Sequence, residues 1–323
     1  MKKLRVCYHD NCFDGLSSAA VFSRFYRATV DPSAEIEYYG LAHKAGQQMN
    51  DDLFGPGENV IVDFKYSASE KLTWWFDHHE SAFLSPADEE HFRRDTSGRK
   101  FHAPDFRSCT KFIASETAKK FGFKAPDLED LIYWADIIDG AQFPSAQMAV
   151  ELKEPALRLM LTIEGTRDPA LLHSIIGYLQ REPLTAVLNE PDVRTTFEKL
   201  YRNHLESIGI LKERAACTDG VVSFDVSDRN LEGCNKFIPY YLFPQGVYSV
   251  GVSLSPTRAK VSVGTNPWSP RERMHNLAKL CEQYGGGGHA VVAAISFKPD
   301  DLAGARTAAS EIAAKLRRDL AGA

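Results

Sequence analysis

Residues 72–79 read Leu72-Thr73-Trp74-Trp75-Phe76-Asp77-His78-His79, an apolar, strand-like run that ends in three adjacent ionisable side chains. The same pattern occurs twice more, at residues 4–8 before His9 and at residues 59–62 before Asp63. Helix-like segments lie between strand-like runs, and such alternation is typical of a parallel α/β sheet. The carboxyl ends of parallel strands meet at one edge of the sheet. We therefore expect the three ionisable groups to converge.

The composition predicts a folded protein with two domains. The chain has 323 residues, 44% of them hydrophobic and 25% charged, and it contains no run of the roughly 20 apolar residues that a membrane span needs. No apolar signal segment follows the N-terminus, and the six cysteines form no CxxC pair, so we expect a cytoplasmic protein with reduced thiols. The net charge of −5 argues against a surface that binds long nucleic acid.

Changes of pattern along the chain predict the domain boundaries. We expect a catalytic domain at residues 1–190, a linker helix at 191–216 and a smaller second domain at 217–323. The second domain begins with short β-like runs and continues with a helix at residues 270–284. An apolar strand and a closing amphipathic helix follow. The predicted fold class is α/β in both domains.

The strand-end residues suit a two-metal centre. Mg²⁺ and Mn²⁺ prefer carboxylate oxygens with one or two imidazoles, and two such ions can share a bridging carboxylate. Asp14, Asp63, His78 and one further aspartate would meet this requirement. Asp77 is suited to orient an imidazole, and the second histidine could donate to a phosphate oxygen. A lone aspartate could instead cap a turn, so the prediction depends on the combination.

Glycines 285–288, followed by His289, suit an anion site. Without Cβ atoms, their backbone N–H groups can approach a phosphate closely. His289 would add a side-chain donor. A flexible linker is the alternative, but such a linker seldom joins a helix directly to an apolar strand.

Five motifs together resemble those of one family. They are His9-Asp10-Asn11-Cys12-Phe13-Asp14-Gly15, Val60-Ile61-Val62-Asp63, Asp77-His78-His79, Ala135-Asp136-Ile137-Ile138 and the glycine run with His289. Their order and spacing resemble the DHH phosphoesterase superfamily, in particular its members with a C-terminal DHH-associated domain. The resemblance covers nearly the whole chain. It implies a parallel-sheet DHH domain, a helical linker, a smaller α/β domain and a dinuclear centre that prefers Mn²⁺, with Mg²⁺ or Zn²⁺ as alternatives.

The resemblance also implies roles by position. Asp63 would bridge the metals, and the other metal ligands would be His9, Asp14, His78 and Asp136. The catalytic candidates are Asp77 and His79, with His79 facing the phosphate. The substrate's far end would be held by Gly286, Gly287, Gly288 and His289, with Arg258 as a weaker candidate.

Two positions of this ligand set have alternatives. Many relatives carry an aspartate where this chain has Cys12, so His9 is the expected ligand there, with Asp10 or Cys12 as alternatives. A Cys12 thiolate would favour zinc or iron. Asp139 lies three residues after Asp136, and the two could share a helical face.

The predicted function is metal-dependent hydrolysis of phosphodiesters in short oligonucleotides or dinucleotides. The acidic net charge and the lack of an added nucleic-acid module favour a short substrate. The alternatives are a polyphosphate or pyrophosphate hydrolase and a catalytically weak nucleotide-binding protein. No membrane partner is expected, and the sequence is compatible with a homodimer.

Overall fold

The computed structural model describes residues 2–43, 48–229, 231 and 234–322. Contacts between Cα atoms divide the chain into two compact units. The first comprises Met1–Phe143 and Lys153–Leu200, and the second comprises Pro144–Leu152 and Tyr201–Ala323. None of the helices formed by the described residues combines the length and the apolar character that crossing a membrane requires.

The elements are numbered in chain order. The strands are β1 (Lys3–His9), β2 (Glu35–Leu41), β3 (Glu58–Val62), β4 (Trp74–Asp77), β5 (Lys100–His102), β6 (Ala216–Thr218), β7 (Val221–Asp225), β8 (Tyr248–Leu254), β9 (Ala259–Thr265), β10 (Gly287–Gly288) and β11 (Val292–Phe297). The helices are α1 (Phe13–Thr29), α2 (Pro86–Arg93), α3 (Cys109–Phe121), α4 (Glu129–Asp139), α5 (Ala146–Glu151), α6 (Pro155–Gly165), α7 (Pro169–Leu179), α8 (Leu184–Asn189), α9 (Pro191–Arg214), α10 (Ile238–Leu242), α11 (Leu277–Glu282) and α12 (Leu302–Ala321).

The first unit is built on a parallel sheet in the order β2-β1-β3-β4-β5. Tyr8 pairs with Val62, and Val62 pairs with Phe76. The residues that follow these three positions therefore lie at the same edge of the sheet, which confirms the predicted parallel arrangement. The register alone brings His9 and Asp63 side by side.

Helix α1 covers one face of this sheet. Its buried Phe22 and Phe25 pack edge-on against Trp74, with ring centroids 5.8 and 5.6 Å apart. Alternation along the strands sends Val62 to this face and Ile61 to the opposite face. Burial of both faces explains why the strands read as continuous apolar runs.

The second unit contains a sheet in the order β10-β11-β9-β8-β7-β6. Its neighbouring strands are antiparallel except for the parallel pair β7 and β8. Helix α12 packs on one face, where Ile312 and Leu316 join Val250, Val261 and Ile295 in a buried core. The second unit is therefore a smaller α/β structure, as predicted.

Two local features differ from the sequence predictions. The helix expected at residues 270–284 covers only Leu277–Glu282, because the Tyr248 hydroxyl accepts hydrogen bonds from the backbone N–H groups of Met274 and His275 and holds that segment out of the helix. Residues 144–152, expected in the first domain, lie in the second unit. The Asn235 side chain there donates to the Ala149 carbonyl at 2.7 Å.

Candidate functional site

Asp63 is buried at the centre of a cluster of ionisable side chains at the carboxyl edge of the parallel sheet. Its carboxylate Oδ2 is 3.3 Å from His9 Nδ1, and its Oδ1 is 3.3 Å from His78 Nε2 and 3.9 Å from His79 Nδ1. Its backbone adopts a left-handed conformation, with φ of 57°, which aspartate tolerates better than most residues. Such strain is typical of functional positions.

Asp14 enters the cluster from the first turn of α1. A Cβ at the next residue, Gly15, would lie 2.1 Å from the His9 carbonyl oxygen, so glycine is needed for the helix to begin this close to the strand. The Asp14 carboxylate accepts hydrogen bonds from the backbone N–H groups of Cys109 (2.7 Å) and Thr110 (3.0 Å). These groups start α3, where a negative charge is favoured. Asp14 Oδ2 is 3.8 Å from His78 Nε2.

The two adjacent histidines are oriented differently. His78 Nδ1 lies 3.0 Å from the Phe106 carbonyl oxygen, to which it donates, so its Nε2 points into the carboxylate cluster. His79 Nδ1 lies 2.7 Å from Asp77 Oδ1, and the same oxygen accepts a hydrogen bond from the His78 backbone N–H. Asp77 therefore holds the His79 ring through its Nδ1.

The donor atoms of the cluster fit a divalent metal. Asp63 Oδ1 and His78 Nε2 are fully buried, and although they lie 3.3 Å apart, neither forms a well-aligned hydrogen bond with a described residue. A buried polar atom left without a partner costs about 1–3 kcal/mol. A divalent cation would satisfy both a carboxylate oxygen and an imidazole nitrogen.

Three groups of potential ligand atoms occur among the described residues, each with its atoms within 4.8 Å of one another. They are His9–Cys12–Asp63, Asp63–His78–His79 and Asp14–His78–Asp139. Asp63 and His78 belong to two groups each. One carboxylate that serves two groups has the position required of a bridging ligand.

The structure brings together His9, Asp14, Asp63 and His78, four of the five ligands predicted. The fifth, Asp136, forms an ion pair with Lys111, whose Nζ lies 2.7 Å from Asp136 Oδ2. Asp136 belongs to none of the three groups. Asp139 Oδ2 instead lies 3.5 Å from His78 Nε2. Asp139 ends α4 one helical turn beyond Asp136, so the cluster contains the alternative aspartate.

The structure also distinguishes Asp10 from Cys12, the two alternatives to His9 at the first metal position. The Asp10 carboxylate packs against β2, where a Cβ at Gly40 would lie 2.7 Å from Asp10 Cγ. Asp10 occurs in none of the three groups, whereas Cys12 lies with His9 and Asp63. Burial, followed by the charge of Asp63, raises the pKa of the Cys12 thiol.

One histidine near the cluster was missed by the sequence analysis. The His43 ring stacks on Phe64, with centroids 4.5 Å apart, and contacts the His9 ring at 4.8 Å. Burial, His9 and His79 lower its pKa. Because His43 belongs to none of the five motifs, only the tertiary structure reveals it.

The carboxylates and imidazoles of the cluster shift one another's pKa values. Burial alone would lower the pKa of His78, but the contact with Asp63 and the charge of Asp14 raise it to about 10. Burial would raise the pKa of Asp63, but His78 and His9 lower it to about 2. Burial and the charge of Asp63 raise the pKa of Asp139 to about 6 and also raise that of Asp14.

These shifts predict how metal affinity depends on pH. A metal ligand must be deprotonated, so with the pKa of His78 raised, Mn²⁺ would have to displace a proton in order to bind at neutral pH. The apparent affinity should therefore rise with pH, by about tenfold per unit while one proton is released. Calorimetric titration in two buffers of different ionisation enthalpy would count the proton. An affinity independent of pH between about 6 and 9 would exclude His78 as a ligand.

Four of the five substrate-binding candidates of the second unit lie around one cavity. A cavity of about 450 Å³ is lined by Arg258, Gly287, Gly288 and His289, together with small residues of β8 such as Ser249 and Gly251. Gly286 is required for strand packing, because its Cβ would lie 2.4 Å from the Ala294 carbonyl oxygen. A Cβ at Gly287 would meet no atom within 4 Å. Gly287 therefore borders open space in this cavity.

Comparisons with known proteins give matches at the level of structure. No protein-family model matches the sequence, and no curated protein is similar to it. The pGpG-specific phosphodiesterase PggH from Vibrio cholerae matches with a TM-score of 0.72 and 18% identity, over 100% of this chain and 99% of that protein. RecJ from Thermus thermophilus, in complex with Mn²⁺, matches with a TM-score of 0.52 and 12% identity, over 97% of this chain and 52% of that protein. The chain has the fold of these two proteins.

The fold that the motif resemblance implied is therefore confirmed. The predicted α/β class, with a parallel-sheet unit and a second α/β unit, is confirmed with it.

Proposed function

We propose that this protein is a metal-dependent phosphodiesterase that hydrolyses short oligonucleotides or dinucleotides. The observation that carries the proposal is the position of Asp63, whose two oxygens lie near different histidines, His9 and His78. A carboxylate shared by two sets of ligands is what a two-metal hydrolase requires. The likeness in fold to a pGpG-specific phosphodiesterase supports this class of reaction.

The ligand groups suggest how two ions would be held. One ion would be bound by His9 and Asp63, with Cys12 as a further donor, and the other by Asp14, His78 and Asp139, with Asp63 shared between them. We place Asp139 in the set because Asp136 is already paired with Lys111. When bound, the ions would activate water and stabilise negative charge on the phosphoryl group. The oxygen-rich set fits Mn²⁺ or Mg²⁺, and the Cys12 thiol would favour Zn²⁺.

His79 has the position of a donor to the phosphate. Asp77 binds its Nδ1, which leaves Nε2 for the substrate. Burial lowers the pKa of His79, but the hydrogen bond and the charge of Asp77 outweigh burial and raise it. We propose that His79 donates to an anionic phosphate oxygen and that Asp77 acts by positioning it.

The second unit would bind the rest of the substrate. The cavity of about 450 Å³ lies within the range of about 300–1,000 Å³ that is usual for small-molecule sites. A cavity of this size suits a nucleotide better than a long strand. We propose residues 1–190 as the catalytic domain, except residues 144–152, which lie in the second unit, and residues 217–323 as the substrate-binding domain. All six cysteines carry free thiols, which supports our proposal of a cytoplasmic protein.

A substrate panel tests the proposal. Protein loaded with Mn²⁺ is offered a labelled dinucleotide, a five-nucleotide RNA, a long single strand and polyphosphate. We expect cleavage of the dinucleotide and the short RNA, at rates well above those for the long strand. Cleavage of polyphosphate alone would replace this function by the inorganic hydrolase alternative.

The glycine run gives a test of the second unit. Because Gly287 borders open space, Gly287→Val should fill part of the cavity without disturbing the sheet. We expect this variant and His289→Ala to raise the KM for a dinucleotide at least about tenfold, and to leave turnover of bis(p-nitrophenyl) phosphate nearly unchanged. Steady-state kinetics on both substrates would measure the difference. Equal losses on both would assign these residues a folding role.

A further inference from the structure

Arg107 lies between two residues, Phe106 and Ser108, whose hydrogen bonds fix the backbone near the ligand cluster. The preceding residue, Phe106, accepts the hydrogen bond from His78 through its carbonyl oxygen. The following residue, Ser108, caps α3 by accepting a hydrogen bond from the Lys111 backbone N–H at 3.2 Å. These two hydrogen bonds hold the backbone of Arg107 beside the cluster.

The Arg107 side chain passes the end of α4 that carries a proposed ligand. Its Cδ lies 3.3 Å from the position of a Cβ at Gly140. Gly140 directly follows Asp139, whose Oδ2 is 3.5 Å from His78 Nε2. The guanidinium group begins one bond beyond Cδ, at the residue that directly follows Asp139.

The charge of Arg107 is not neutralised in the part of the chain that the structure describes. Lys111, the other cation of this segment, is paired with Asp136 at 2.7 Å. Arg107 is exposed and has no hydrogen bond or ion pair with a described residue, although its Cδ contacts the turn that follows α4. Its guanidinium donors are therefore available to a ligand.

We propose that Arg107 is a substrate-binding residue whose guanidinium binds non-bridging oxygens of the scissile phosphate. The inference rests on the proposed function, and it adds a residue outside the five motifs. The planar guanidinium matches two phosphate oxygens at once. The carboxylates of Asp14, Asp63 and Asp139 repel a phosphodiester, and a cation beside them offsets that repulsion. Binding that strengthens as the phosphoryl group gains charge also lowers the barrier.

The test compares Arg107→Ala with wild type on two substrates. We expect kcat/KM to fall about 100-fold on both a labelled dinucleotide and bis(p-nitrophenyl) phosphate, because both contain the scissile phosphodiester. Metal content and the midpoint of thermal unfolding should not change. Arg107→Lys should recover part of the loss, since it keeps the charge but not the planar fork. The matched control is Arg181→Ala, which removes another exposed arginine. Arg181 follows Gln180, and Gln180 contacts Arg27 at the C-terminal end of α1, whereas Asp14 lies at the N-terminal end of that helix.

Three results would overturn the assignment. They are a loss below about threefold on both substrates, a loss confined to dinucleotides that carry a 5′-phosphate, and an equal loss in Arg181→Ala. Binding of inorganic phosphate to the Mn²⁺-loaded protein gives a readout that does not need turnover, and Arg107→Ala should weaken it. If wild type cleaves neither substrate, the proposed function fails, and unchanged phosphate binding in Arg107→Ala would then reject Arg107 separately.

Discussion

Asp63→Ala and Asp63→Asn are both expected to lower kcat/KM for a dinucleotide by at least about 1,000-fold, because the bridging carboxylate would be lost from both metal positions. Asparagine keeps the shape of the side chain and tolerates the left-handed backbone of residue 63. The Asn variant therefore separates loss of the charge from loss of the backbone conformation. Activity assays and elemental analysis of the Mn²⁺-loaded variants would measure the effect.

The Asp63 prediction has a clear contrary result. A folded Asp63→Asn protein that keeps two metals per chain and activity within a few-fold of wild type would remove Asp63 from the centre. Circular dichroism and thermal unfolding would show whether the variant is folded, so a loss through misfolding could be recognised.

Asp139→Asn and Asp136→Asn should differ strongly in metal content and in kcat/KM. Asp139 approaches His78 Nε2 to 3.5 Å, so its loss should remove one metal and lower kcat/KM at least about 100-fold. Asp136 is held by Lys111, so Asp136→Asn should keep both metals and most of the activity. The two variants are matched in chemistry and lie on the same helix.

Metal content and dinucleotide kinetics of the pair decide the assignment. The opposite order, with a metal lost from Asp136→Asn and kept in Asp139→Asn, would restore the ligand set implied by the family resemblance. Full metal content and near wild-type activity in both variants would place neither carboxylate on a metal.

The convergence of the strand ends could be predicted from the sequence. The apolar runs before His9, Asp63 and Asp77 identify parallel strands, and the carboxyl ends of such strands share an edge. That prediction needs only the pattern along the chain. The structure adds the distances, among them the 3.3 Å between Asp63 Oδ1 and His78 Nε2.

The choice between Asp136 and Asp139 could not be predicted in the same way. Residues three apart lie on one face of a helix, so both carboxylates point in similar directions. Lys111 selects between them by pairing with Asp136, and Lys111 comes from α3. A choice made by a residue of another element leaves no local signal in the sequence.

The glycine run and the shortened α11 show the same limit. The sequence predicted an anion site at residues 285–288, but Gly286 and Gly288 also have steric reasons to be glycine, since a Cβ at either would lie within 2.6 Å of a β11 backbone atom. Likewise, hydrogen bonds to the Tyr248 hydroxyl of β8 keep residues 274 and 275 out of the predicted helix, which begins only at Leu277. Both effects arise from strands that pack against these segments.

The most direct test of the two-metal account is a titration of metal-free protein with Mn²⁺, in which bound metal and the initial rate of dinucleotide hydrolysis are measured on the same samples. Metal-free protein should be inactive, and the rate should reach its maximum when two ions are bound per chain. A protein that is saturated with Mn²⁺ but cleaves no dinucleotide, or one whose activity persists after the metal is removed, would contradict the account.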